Sequence, residues 1–110
     1  MLPILLDIDP GIDDAIALLM ALRSPEVTLL GVTTVGGNAW LAHTTCNALR
    51  ILEYAGRHDI PVARGASRPL RGAFNYAYHF HGLGGLTARL PLLNGKPITL
   101  SATQFLGNAL

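Results

Sequence analysis

The chain has 110 residues, about the size of one small domain. Half of them are hydrophobic and 14% are charged, a balance that suits a packed core and excludes a disordered chain. The formal net charge of +1 offers no strong field to nucleic acid or an anionic membrane, and a lone Cys46 excludes an intrachain disulfide framework and fits a reducing compartment.

Leu2 to Asp7 is an apolar run closed by the Pro10-Gly11 turn, which predicts a buried strand. The run is too short for a signal-peptide core or a membrane span, so a cytoplasmic protein with no membrane partner is expected. Gly11 to Leu22 sets Ile12, Ala15, Ile16, Leu19 and Leu22 at helical spacing, and Ser24-Pro25 stops that helix. Val27 to Val35 is rich in β-branched residues and predicts a second buried strand.

After the Gly36-Gly37-Asn38 turn, a longer helix is expected from Leu41 to Ala55. Its apolar face carries Leu41, Thr45, Ala48, Leu49 and Leu52, and Gly56 stands where a left-handed cap belongs. Pro61 to Ala63 predicts a third strand, residues 64–97 a loop, Ile98 to Ala102 a fourth strand, and Gln104 onward a helix. The chain stops at Asn108-Ala109-Leu110, within that opening helix, so residues 1–110 read as a single, incomplete domain.

Strands alternating with helices give an α/β fold with a mostly parallel sheet and flanking helices. In such sheets ligands bind beyond the carboxyl ends of the strands. Asp7 to Asp14, Thr33 to Asn38, Arg64-Gly65 and Thr103 all leave those ends. Asp7, Asp9, Asp13 and Asp14 stand together with no lysine or arginine among the first 22 residues. Like charges so close raise one another's pKa unless a cation is present, and a hard divalent ion takes carboxylate oxygens. A turn with a capped helix start accounts for two or three of these aspartates. It does not account for Asp7 at a strand end with Asp9 two residues on.

The segment Asp7-Ile8-Asp9-Pro10-Gly11-Ile12-Asp13-Asp14-Ala15-Ile16-Ala17 resembles the N-terminal signature of the inosine-uridine preferring nucleoside hydrolases. Thr33-Thr34-Val35-Gly36-Gly37-Asn38, Asn47-Ala48, Pro61-Val62-Ala63-Arg64-Gly65, His79-Phe80-His81-Gly82 and Ile98 to Thr103 follow in the family's order. The resemblance covers nearly all of this chain and only the N-terminal part of the family's longer one. It implies hydrolysis of the N-glycosidic bond of ribonucleosides, with Ca²⁺ as cofactor, a nucleoside as substrate and homo-oligomers as the common assembly. It also implies roles. Asp9 would bind Ca²⁺ and act as general base on a water, and Asp14 would ligate the same ion. Thr103 would add its carbonyl and Asp7 would support the ion's site. Asp13 would accept a ribose hydroxyl, Asn38 would orient the water or Asp9, and His81, backed by His79, would help the base to leave.

Three departures from the family stand out. The stretch Leu86 to Pro97 is short and broken by prolines, which reads as an internal deletion. Gln104-Phe105-Leu106 follows Thr103 where the family has Gly-Pro or Gly-Gly. The family's later ribose- and metal-binding residues fall beyond residue 110. The expectations are therefore little activity for this chain alone, and two competing readings. One is an inactive fragment or metal- or nucleoside-binding remnant; the other is an Asp-x-Asp phosphotransferase. Cys46 and Trp40 are expected as packed side chains, and Arg64, Arg68 and Arg71 as solvated loop residues.

Overall fold

The computed structural model describes residues 2–37, 40–66 and 96–109. Three strands, β1 (Leu2–Ile8), β2 (Val27–Thr34) and β3 (Val62–Arg64), form one parallel sheet in the order β1-β2-β3. Helices α1 (Ile12–Arg23) and α2 (Leu41–Tyr54) make the crossovers, and α3 (Ala102–Ala109) closes the described chain. The α/β architecture with a parallel sheet is as the sequence predicts. Among the described residues, no helix is long and apolar enough to cross a membrane.

Period-2 alternation in the strands sorts their side chains onto two faces. Ile4, Leu6 and Ile8 of β1, Val32 of β2 and Val62 of β3 pack with Leu18 of α1 and Leu49 and Leu52 of α2 in the main core. Among the described residues, Leu18, Val32, Leu52 and Val62 are the largest apolar side chains fully withdrawn from water. Leu5 and Gly31 belong to the opposite face, where the Phe105 ring of α3 lies so close to Gly31 that a Cβ there would strike it. The pairing slips by one residue between Ile4 and Leu5, so Leu30 has no opposite number and Leu5 stands against Gly31.

Local signals explain the helix ends. α2 stops in a Schellman turn: the Gly56 N–H donates to the Glu53 carbonyl at 3.0 Å and the Arg57 N–H to that of Leu52 at 2.8 Å. Gly56 takes φ +72°, the left-handed region expected for it. α3 starts with a capping box, in which the Ser101 hydroxyl accepts the Gln104 N–H at 3.3 Å and Gln104 Oε1 accepts the Ser101 N–H at 3.1 Å.

That box corrects the expectation of a strand over Ile98 to Ala102. The Ile98 N–H donates to the Val62 carbonyl of β3 at 2.8 Å; the chain then turns and is helical from Ala102. The Ser101-x-x-Gln104 spacing carried this signal, and the β-branched Ile98-Thr99 pair outweighed it in the sequence reading. The apolar stripe of α1 is also shifted. Ala15 and Leu18 are buried, whereas Ile16 is 55% exposed. The short stretch from Leu86 to Pro97 lies largely outside the described residues.

Candidate active site

The C-terminal edge of the sheet gathers the polar groups. Parallel pairing sets Asp7 opposite Thr33 and Ile8 opposite Thr34. Past the strand ends, the Val35 N–H donates to the Ile8 carbonyl at 3.1 Å and the Gly65 N–H to the Thr34 carbonyl at 2.7 Å. These bonds bring the loops after β1, β2 and β3 side by side.

Asp9 and Asp14 form the centre. The Asp9 N–H donates to Asp14 Oδ2 at 2.9 Å, so the third residue of α1 reaches back across the Pro10-Gly11 turn. Gly37 closes against Asp9 from the loop after β2; a Cβ at that position would collide with Asp9 Oδ2. Both carboxylates are half-buried. Burial, followed by the neighbouring Asp9 carboxyl, pushes the Asp14 pKa up from 3.8 to about 6. Asp13, in the same first turn of α1, is exposed and faces water.

Asp7 is engaged elsewhere. The Thr33 hydroxyl donates to Asp7 Oδ1 at 2.6 Å, and alternation puts this pair on the sheet face that α3 covers. The four aspartates thus divide into a pair, an exposed partner and a Thr-bound one. Among the described residues no group of three or more His, Cys, Asp or Glu side chains is gathered tightly enough to hold a metal ion. The Asp9–Asp14 pair itself suits a hard cation: two carboxyl groups in contact, one with a raised pKa, are what a divalent ion relieves.

Two polar pairings inside the fold hold this edge in place. Asn47, buried on α2, donates through Nδ2 to the Pro10 carbonyl at 3.0 Å and so pins the Asp9–Gly11 turn to the helix. Thr34 and Thr45 share a buried hydroxyl–hydroxyl bond of 2.8 Å between β2 and α2. Neither pairing was foreseen, although a polar residue amid the apolar stripe of α2 was a visible sign of a buried partner.

The other sequence candidates are distributed as follows. Thr103 is the exposed second residue of α3, not a residue of a strand-end loop. Asn38, His79, His81, Arg68 and Arg71 lie outside the described residues. Arg64 is exposed at the end of β3, and Cys46 is half-buried in α2. Trp40, expected as a packing anchor, is instead 57% exposed.

Residues 4–110 match the family model for the inosine-uridine preferring nucleoside hydrolases. The chain belongs to this family. It is 46% identical over 106 residues to a protein named probable uridine nucleosidase 2 from Arabidopsis thaliana, covering 94% of this chain and 33% of that one. A solved plant nucleoside hydrolase superposes with a TM-score of 0.89 at 43% identity, over 97% of this chain and 35% of the other. A purine-preferring ribonucleoside hydrolase from Gardnerella vaginalis gives a TM-score of 0.90 at 30% identity, with the same coverage. The chain therefore spans about a third of the length of the relatives it matches. Family membership suggests a metal cofactor.

Proposed function

We propose that this chain supplies the metal- and ribose-binding wall of a nucleoside N-ribohydrolase, a hydrolase of N-glycosidic bonds that uses Ca²⁺. The observation that carries the reading is the Asp9–Asp14 pair, closed by Gly37 at the C-terminal edge of a parallel sheet. Asp9 and Asp14 would hold the ion, with the Thr103 carbonyl as a further ligand, while Asp7, bound to the Thr33 hydroxyl, would support the site from behind. The ion, when bound, supplies positive charge that makes a nearby water more acidic.

The residues of the chain do the rest. Asp9 accepts the proton of the attacking water, and Asn38 orients that water or the Asp9 carboxylate. Asp13, exposed beside the pair, accepts a hydrogen bond from a ribose hydroxyl, a contact that strengthens as the sugar becomes cationic. The carboxylates face that developing charge and stabilise it. His81, with His79 behind it, donates a proton to the departing base. Relatives carry both uridine- and purine-directed names, and the substrate class proposed here is the ribonucleoside.

The test is calorimetric titration of the chain with Ca²⁺, with and without ribose, alongside release of reducing sugar from uridine and inosine. Uptake of one ion, abolished in Asp9→Asn and Asp14→Asn, is the expected result. Absence of Ca²⁺ uptake at millimolar concentration, or uptake indifferent to both substitutions, would overturn the reading.

A further inference from the structure

Trp40 and His43 have no part in the chemistry above. Their rings stack with centroids 5.8 Å apart and planes 14° from parallel, while Trp40 keeps 57% of its surface in water. A large aromatic ring left so open at a site edge offers a face for another flat group.

The direction of that face follows from α2. Positions 40, 43, 47 and 54 fall within one stripe of a helix with 3.6 residues per turn. Two contacts fix what the stripe looks at. Asn47 bonds the Pro10 carbonyl, and Tyr54, at the far end, lines a groove with Ile16, Met20 and Arg23 of α1. The stripe therefore faces α1 along its length. Both helices begin at the C-terminal edge of the sheet, and Trp40 and His43, N-terminal to Asn47, stand at the α2 end nearest that edge. Reach agrees with this. Gly37, which touches the Asp9 carboxylate, precedes Trp40 by three residues, a span of at most about 11 Å.

We propose that Trp40, backed by His43, is the stacking platform for the planar base of the nucleoside whose ribose meets Asp9, Asp13 and Asp14. This rests on the nucleoside hydrolase reading of that site. An indole face accepts purine and pyrimidine alike, so the platform supplies affinity for a base as such.

Trp40 is the single tryptophan of the chain, and its emission reports on one position. With Ca²⁺ present, the chain is titrated with inosine, uridine and ribose, and binding is measured in parallel by equilibrium dialysis. Both nucleosides are expected to change the emission saturably, at concentrations that match dialysis, while bound ribose leaves it unaltered. Trp40→Ala, with its fold checked by circular dichroism, should bind nucleosides about tenfold more weakly and ribose as before, and Trp40→Phe should recover most of the loss. Nucleoside binding with unchanged emission overturns the platform, as does a Trp40→Ala chain that keeps full nucleoside affinity or loses ribose affinity equally. If ribose binds and a base adds nothing, the platform alone falls. If neither binds, the nucleoside hydrolase reading falls and the platform with it.

Discussion

Asp14 Oδ2 accepts the backbone N–H of Asp9 at 2.9 Å, so one carboxylate both ties down the Pro-Gly turn and faces a second carboxylate. The same atom that organises the loop thereby bears an electrostatic cost. Burial and the Asp9 carboxyl raise its pKa to about 6.

The consequence for pH has a definite sign. Between the ordinary value of 3.8 and about 6, the folded chain holds a proton that the unfolded chain has released. Asp14 therefore makes the metal-free fold less stable as pH rises through that window, with the full penalty present above it. Asp14→Asn keeps an acceptor for the Asp9 N–H and removes the penalty. Metal-free thermal melts should show the variant gaining on the parent from pH 4 to 6.5. Added Ca²⁺ should raise the melting temperature of the parent only.

Gly37 lets Asp9 stand where it does, because any side chain there meets Oδ2. In Gly37→Ala the obstacle is the free end of a carboxylate, so the side chain swings away and the fold survives. Ca²⁺ affinity measured by calorimetry should fall by about tenfold, in the range seen when support for a metal ligand is removed. Urea unfolding should be little altered.

Asn47→Ala leaves the buried Pro10 carbonyl without this donor. The expected loss is about 1–3 kcal/mol in urea unfolding, since a buried acceptor gives up its partner without regaining water. The Asp9–Gly11 turn loosens as well, and Ca²⁺ affinity should drop with stability. Thr44→Ser, on the same helix but away from that bond, serves as the control.

Phe105 and Gly31 should behave as a coupled pair. Gly31→Ala brings a Cβ against the Phe105 ring and Leu5, and α3 must shift off the sheet. A double-mutant cycle should find Gly31→Ala costly alone and much less so with Phe105→Ala, with a coupling of about 1 kcal/mol or more in thermal or urea unfolding. Additive effects would mean that α3 is not seated by that contact.

Much of this protein was legible in one dimension. The apolar run ending in Asp7, the Pro10-Gly11 turn, the Gly56 cap and the Ser24-Pro25 stop act through neighbours in sequence, so β1, α1 and α2 were placed within a residue or so. The signature from Asp7 to Ala17 likewise marked the family and kept Asp9 and Asp14 together, because residues of one strand–turn–helix unit cannot stray far apart. Tertiary structure decided what depends on partners distant in the chain. Asp7 belongs to Thr33 because parallel register sets them opposite, and that register comes from packing two strands 26 positions apart. Pro10 is held by Asn47, 37 residues on, and Asp9 is bounded by Gly37. Four aspartates in eight residues look equivalent in sequence. Only the sheet edge, by giving each a different neighbour, makes Asp9 and Asp14 the pair.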